Sequence, residues 1–144
     1  ITVRSYSSPE GDPGFNDELA SQRAWALINY IKSVYPLDDV PVSTSSGGED
    51  WNRLVELIET DNRLSDSEKA EVTRIIQTVP NTEERKRQIR KVGEGFAYNY
   101  IYHVLYPFLR RSEYRIEYTV PALSFEDRIE LFKTRPGLLS EEEL

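Results

Sequence analysis

The sequence predicts an α+β fold: a two-layer sandwich in the order strand, helix, strand, helical insert, strand. Three observations carry that expectation. Apolar and polar residues alternate with a period of two at the start of the chain and again near its end. A helical period follows the first alternation. Residues 49–109 hold capping signals and amphipathic faces with no strand signal among them.

At the start, Ile1, Val3 and Ser5 alternate with Thr2, Arg4 and Tyr6, the pattern of a half-buried strand. Pro9, Gly11, Pro13 and Gly14 then make Ser7–Phe15 a loop. Asn16 is the expected N-cap, with Asp17 and Glu18 in the first helical turn. The helix should run to about Val34, sharing Ala20, Ala24, Leu27, Ile31 and Val34 on one face, with Pro36 past its end. A second short strand is expected over Val40–Thr44, closed by Ser45-Ser46-Gly47-Gly48.

Within the insert, Trp51, Leu54, Val55 and Ile58 form one amphipathic face. Ser65 and Glu68 have capping-box spacing, and Val72, Ile75, Ile76 and Val79 follow. Asn81-Thr82-Glu83-Glu84 opens another helix that Gly93 can end. Phe96–Leu105 predicts a last, aromatic helix, ended or kinked near Pro107. Tyr114, Ile116, Tyr118 and Val120 then alternate with Arg115, Glu117 and Thr119 as a strand that Pro121 stops. A short helix over Phe125–Thr134 and a polar end complete the chain.

Three strands make a thin sheet that helices cover on one face. One more strand from upstream residues would complete it naturally, so a first β-α unit is expected to be missing from this chain. Without it, an exposed edge could pair between molecules. The expected organisation is one domain over residues 1–121, interrupted at about 49–109 by the insert. Residues 122–144 would be a C-terminal helical tail or a linker to a following region.

Composition narrows the function classes. A chain of 144 residues supports one domain with a real core. Its net charge of −7 argues against nucleic-acid binding, which relies on a positive surface. There is no Cys, which removes disulfides, thiolate catalysis and cysteine-ligated metals. No apolar run is long enough to cross a bilayer. The chain opens on Ile1 with no signal peptide or initiator Met, so a mature or excised fragment is expected. No cofactor and no metal are expected.

The segment from Ser5 to Ala24 resembles the signature of OmpA-like, peptidoglycan-associating domains, roughly G-[YH]-[TS]-D-x-x-G-x-x-x-[YF]-N-x-x-L-S-x-x-R-A. Tyr6, Ser7, Gly11, Phe15, Asn16, Leu19, Arg23 and Ala24 fall at the matching spacings. Gly48-Glu49 looks like the family's G-x-G-E turn, and Arg110-Arg111 resembles its N-R-R-[VI]-E segment. The family's loop Asp falls on Ser8 and its leading Gly on Ser5. The Gly-Glu-Asp-Trp start of the insert and the Tyr-Arg-Ile-Glu-Tyr strand are similar, more loosely, to Bacteroidetes members of the family. In such proteins helical repeats commonly follow, and Glu130–Pro136 looks like a lead into them.

That resemblance implies non-covalent anchoring to the cell wall, on the periplasmic side of the outer membrane. The bound group would be the diaminopimelate of a peptidoglycan stem peptide. The residue types suit such a ligand: a helix N-terminus favours an anion, and a guanidinium holds a carboxylate with two parallel hydrogen bonds. The candidate ligand residues are Ser7, Ser8, Glu10, Asn16, Arg23 and Arg111. Glu10 or Asp12 is placed to reach back toward Ser8, where the family's acid is absent.

Plainer readings stand beside these. Arg23 would otherwise be a surface arginine tied to Glu18 or Glu10, Asn16 only a cap, and Ser7 and Ser8 ordinary loop hydroxyls. Arg110 and Arg111 would be surface charges at a strand entrance. Arg85, Lys86, Arg87, Arg90 and Lys91 read as a solvated helix face. Most of Phe96, Tyr98, Tyr100, Tyr102, Tyr106 and Phe108 read as core, and His103 has no visible catalytic partner. The chain is therefore expected to be non-enzymatic. The alternative function is a protein-interaction or scaffold domain with an envelope partner, its peptidoglycan pocket degenerate.

Overall fold

Strand β1 (Thr2–Ser7) lies in the middle of the sheet in the computed structural model, which describes residues 1–119 and 122–135. Strand β2 (Ser43–Glu49) pairs with it in parallel, and β3 (Ser112–Arg115) pairs antiparallel on its other side. With six α-helices among the described residues, the architecture is α+β with a mixed sheet of order β2-β1-β3. Alternation along β1 buries Val3, Ser5 and Ser7 and turns Thr2, Arg4 and Tyr6 to the other face.

Helix α1 (Pro13–Val34) begins earlier than the sequence suggests. Asp12, not Asn16, is its N-cap: the Asp12 Oδ1 accepts the Phe15 N–H at 3.0 Å. Pro13 takes the first helical position, where a missing N–H leaves nothing unpaired. The buried stripe is Asn16, Ala20, Ala24 and Ile28, while Leu27 and Ile31 flank it and Val34 is exposed. Ala20 and Ala24 on this stripe, like Ser5 and Ser7 of β1, are small and buried. A modest cluster of Val3, Ala24 and Ile28, with Ile1, Leu27 and Val42 around it, holds α1 to the sheet.

β2 is displaced from its expected place: Val40–Val42 precede it, and the Ser-Gly run forms the strand itself. Main-chain pairing with β1 overrides the poor β-propensity of these residues. Ser5 lies opposite Ser46 but Ser7 lies opposite Glu49, so β2 carries one extra residue there, a β-bulge. Gly48, at φ +62, takes up the irregular backbone. The bulge puts the Glu49 side chain on the same face as Ser7. Gly47 lies under the Tyr6 ring, which any β-carbon there would strike.

The insert folds as α2 (Trp51–Thr60), α3 (Asp66–Thr78), α4 (Thr82–Ile89) and α5 (Phe96–Tyr100). Asp50, Ser65 and Asn81 cap the first three through their side chains, and Ser65 with Glu68 completes the expected capping box. Gly93, Glu94 and Gly95 all hold positive φ in the turn between α4 and α5. After α5 the chain widens over Ile101–Leu105, where the Tyr106 N–H reaches the Ile101 carbonyl, then tightens over Tyr106–Leu109. Pro107, lacking an N–H, cannot continue the regular ladder. The larger core lies here, from Leu54 and Ile58 through Val72, Ile75, Ile89 and Ile101 to Leu109.

β3 ends at Arg115, short of the expected Val120. Arg115 faces Thr2 in the last pair of the ladder, and Ile116–Thr119 lie outside it. Val120 and Pro121 lie outside the described residues, as does the polar end from 136 to 144. Helix α6 (Phe125–Thr134) has the expected bounds, a Ser124–Asp127 capping box and no buried residue. No described helix is long and apolar enough to cross a membrane.

Candidate functional site

The loop between β1 and α1 is held from several sides. Asp12 caps α1, and the Asn16 Nδ2 donates to the Glu10 carbonyl at 2.6 Å and to the Glu49 Oε1 at 2.7 Å. Asn16 is therefore buried for a reason other than capping: it ties the loop to the end of β2. The bulge at Gly47-Gly48 makes this possible by bringing Glu49 to the helix side.

Glu49 also meets a residue from the insert. The Lys86 Nζ on α4 donates to the Glu49 Oε1 at 2.7 Å and to the Gly11 carbonyl at 2.7 Å. The two side chains are 2% and 6% exposed, so this is a buried ion pair, not the solvated face expected for the basic stretch. Trp51 Nε1 donates to the other Glu49 oxygen at 3.2 Å, so both carboxylate oxygens have donors. Arg85, the residue before Lys86 on α4, stacks over Trp51 at 4.7 Å and donates to the Val79 carbonyl. Nothing in a Glu-Glu-Arg-Lys-Arg run announces which cation turns inward.

Ser8 and Glu10 meet at the other side of the loop. The Ser8 Oγ donates to the Glu10 Oε1 at 3.1 Å, so Glu10 does reach back toward the position of the missing acid. Arg110 joins them, donating to the Ser8 Oγ at 3.1 Å and forming an ion pair with the Glu10 Oε1. Arg111 does not approach the loop. Its guanidinium lies over the Tyr6 ring at 4.3 Å on the opposite face of the sheet, paired with Asp50 and Glu113. The expectation that Arg111 is a ligand residue is thus corrected: of the two arginines just before β3, Arg110 turns to the loop and Arg111 to the other face.

Arg23 stands about three turns inside α1, so roughly 15 Å of axis separates its backbone from the helix start. Helix terminus and guanidinium therefore do not converge on one carboxylate. Its Nη1 donates to the Tyr6 carbonyl at 3.3 Å, at the end of β1. Neither Glu18 nor Glu10 holds it: Gln22 takes Glu18, and Arg110 takes Glu10. Among the described residues no carboxylate lies within 4 Å of Arg23, which leaves most of its donors uncommitted. The residue after Tyr6, Ser7, is 1% exposed and its Oγ has no hydrogen-bond partner. Most buried hydroxyls are paired, so this one is notable.

The remaining candidates fall away from the loop. His103 is exposed and lies edge-on to Tyr102 at 5.0 Å. Of the aromatic residues in residues 96–108, only Tyr106 is fully buried, and its hydroxyl is pushed upward in pKa by burial. Tyr98 and Tyr100 pack against the core, while Phe96, Tyr102 and Phe108 are exposed, more than the sequence predicts. Among the described residues no group of three or more His, Asp or Glu side chains is arranged to hold a metal ion.

No protein-family model matches the chain, and neither a curated protein nor a solved structure matches it.

Proposed function

We propose that this chain is a non-catalytic binding domain of the bacterial cell envelope, OmpA-like in kind. On this reading it associates with the peptidoglycan stem peptide on the periplasmic side of the outer membrane. The observation that carries it is the uncommitted guanidinium of Arg23 beside the Tyr6–Ser8 turn. A planar cation with free parallel N–H groups suits a carboxylate such as that of diaminopimelate. The Glu10 carboxylate at Ser8 supports the same reading, since its Oε2, which neither Ser8 nor Arg110 engages, leaves an acceptor for the ligand's ammonium.

Calorimetry with a diaminopimelate-containing tripeptide tests this. Wild-type protein should bind, and Arg23→Ala should weaken binding at least tenfold, with a smaller loss for Glu10→Gln. Absence of wild-type binding at millimolar peptide would end the proposal.

A second reading is a scaffold domain that contacts an envelope protein through its insert. The exposure of Phe96 (60%), Tyr102 (37%) and Phe108 (64%) favours it, because large apolar side chains left in water often mark a partner surface. Retained partner capture by Arg23→Ala, lost in Phe96→Ser and Phe108→Ser variants, would select this reading over the first.

A further inference from the structure

Contacts from β2, the insert and the residue just after it converge on one short loop. Glu49 of β2 accepts from Asn16, which also donates to the Glu10 carbonyl; Lys86 of the insert donates to the Gly11 carbonyl; Arg110, just past the insert, holds Ser8 and Glu10. The loop's own backbone bonds are few: the Glu10 N–H reaches the Ser8 carbonyl, and the Asn16 N–H reaches the Asp12 carbonyl. A loop with Pro9, a positive-φ Gly11 and Pro13 would not hold one shape through those alone.

We infer that the insert is a positioning device for the candidate site, with Lys86 as the positioning residue that fixes the Ser8–Asp12 loop. The inference deepens the stem-peptide reading, since it says what sets the site's shape, but the clamp itself does not depend on that ligand. Lys86 suits this role better than that of a gate. Its ammonium bridges a backbone carbonyl of the loop and a buried carboxylate of β2, and the same carboxylate binds Asn16 of α1. The cation thus joins loop, strand and insert directly, and reaches the helix through Glu49. Arg110 is 40% exposed and closes the outer side of the loop, so it is the weaker grip.

Amide hydrogen exchange on the unliganded protein tests the clamp. In Lys86→Met, the Glu10 and Asn16 amides, which bond the Ser8 and Asp12 carbonyls, should exchange at least tenfold faster, whereas interior amides of α3 rise much less. Lys86→Arg, which keeps a donor cation, should restore most of the protection. Ile75→Val, a core change in the insert remote from the loop, supplies the control for general loosening. Loop exchange unchanged in Lys86→Met, or raised only in proportion to the α3 amides, would overturn the inference. If Lys86→Met fails to fold, Glu49→Gln is measured with the same two outcomes. Calorimetry with the tripeptide separates the proposals: a wild-type protein that binds no peptide ends the stem-peptide reading, while the exchange data still decide the clamp.

Discussion

The Lys86 ammonium stands 2.7 Å from the Glu49 carboxylate, and both side chains are almost wholly removed from water. Burying a pair of this kind contributes little net stability, but removing one partner leaves an uncompensated charge. That loss is about 3–5 kcal/mol. Lys86→Met should therefore lower the unfolding free energy by about that amount in denaturant titration, and Lys86→Met with Glu49→Gln should cost less than Lys86→Met alone. A double variant as unstable as the sum of both singles would show that the two groups do not interact.

Asp12 takes the capping role the sequence suggests for Asn16, and Asn16 instead ties the loop to Glu49. Asp12→Ala removes a surface cap and should cost about 1 kcal/mol. Asn16→Ala removes a buried donor from two acceptors and should cost about 1–3 kcal/mol. A larger loss from Asp12→Ala than from Asn16→Ala in thermal or chemical unfolding would contradict the assignment.

Acid should loosen the insert through Asp61 and Glu68. Burial acts to raise the Asp61 value, but the Tyr100 hydroxyl at 2.6 Å, the Leu64 and Arg63 N–H groups and Lys69 hold it below the ordinary range. The Ser65 N–H and hydroxyl do the same for Glu68. A carboxylate whose folded value is depressed stabilises the fold above its unfolded value, and that contribution disappears as pH falls through the folded one. Stability should fall from pH 5 to pH 2, roughly the range in which unfolded and then folded carboxylates protonate, and Asp61→Asn should flatten the decline. An unchanged slope in Asp61→Asn would refute the contribution.

Glu94 is the one non-glycine residue among those described with positive φ, at 56°. A β-carbon there crowds the backbone, so Glu94→Gly should raise stability by up to about 1 kcal/mol. Gly48→Ala should do the reverse, because φ +62 at the bulge then carries a β-carbon. Opposite shifts in melting temperature check the pair.

Local signals were legible where one chain segment decides its own structure. Ser65 with Glu68 and Asn81 cap the helices that their spacing announces. Tertiary contacts hid the rest. Ser43–Glu49 has poor strand chemistry and becomes a strand because β1 offers a ladder. Ile116–Thr119 has good strand chemistry and stands outside the ladder, whose last pair is Thr2 with Arg115. In the candidate site, Arg23 stood out only through the family resemblance and Glu10 was one of two acids near Ser8, whereas Lys86 was hidden in a run of like cations whose orientation only the packed insert sets.

The central position of β1 has a consequence for how the chain acquires its structure. Its partner β2 follows after one helix, but the contact between Thr2 and Arg115 closes across the whole insert. Such a distant closure is slow in an unstructured chain. The insert carries the larger core and mostly near-neighbour helix packing, so it can collapse early and bring Arg110–Arg115 back toward the waiting edge of β1. During synthesis that edge stands open from the moment β1 leaves the ribosome until β3 emerges. The insert is thus also the timer that ends this exposure, and a slower-folding insert should appear first as aggregation of nascent chains.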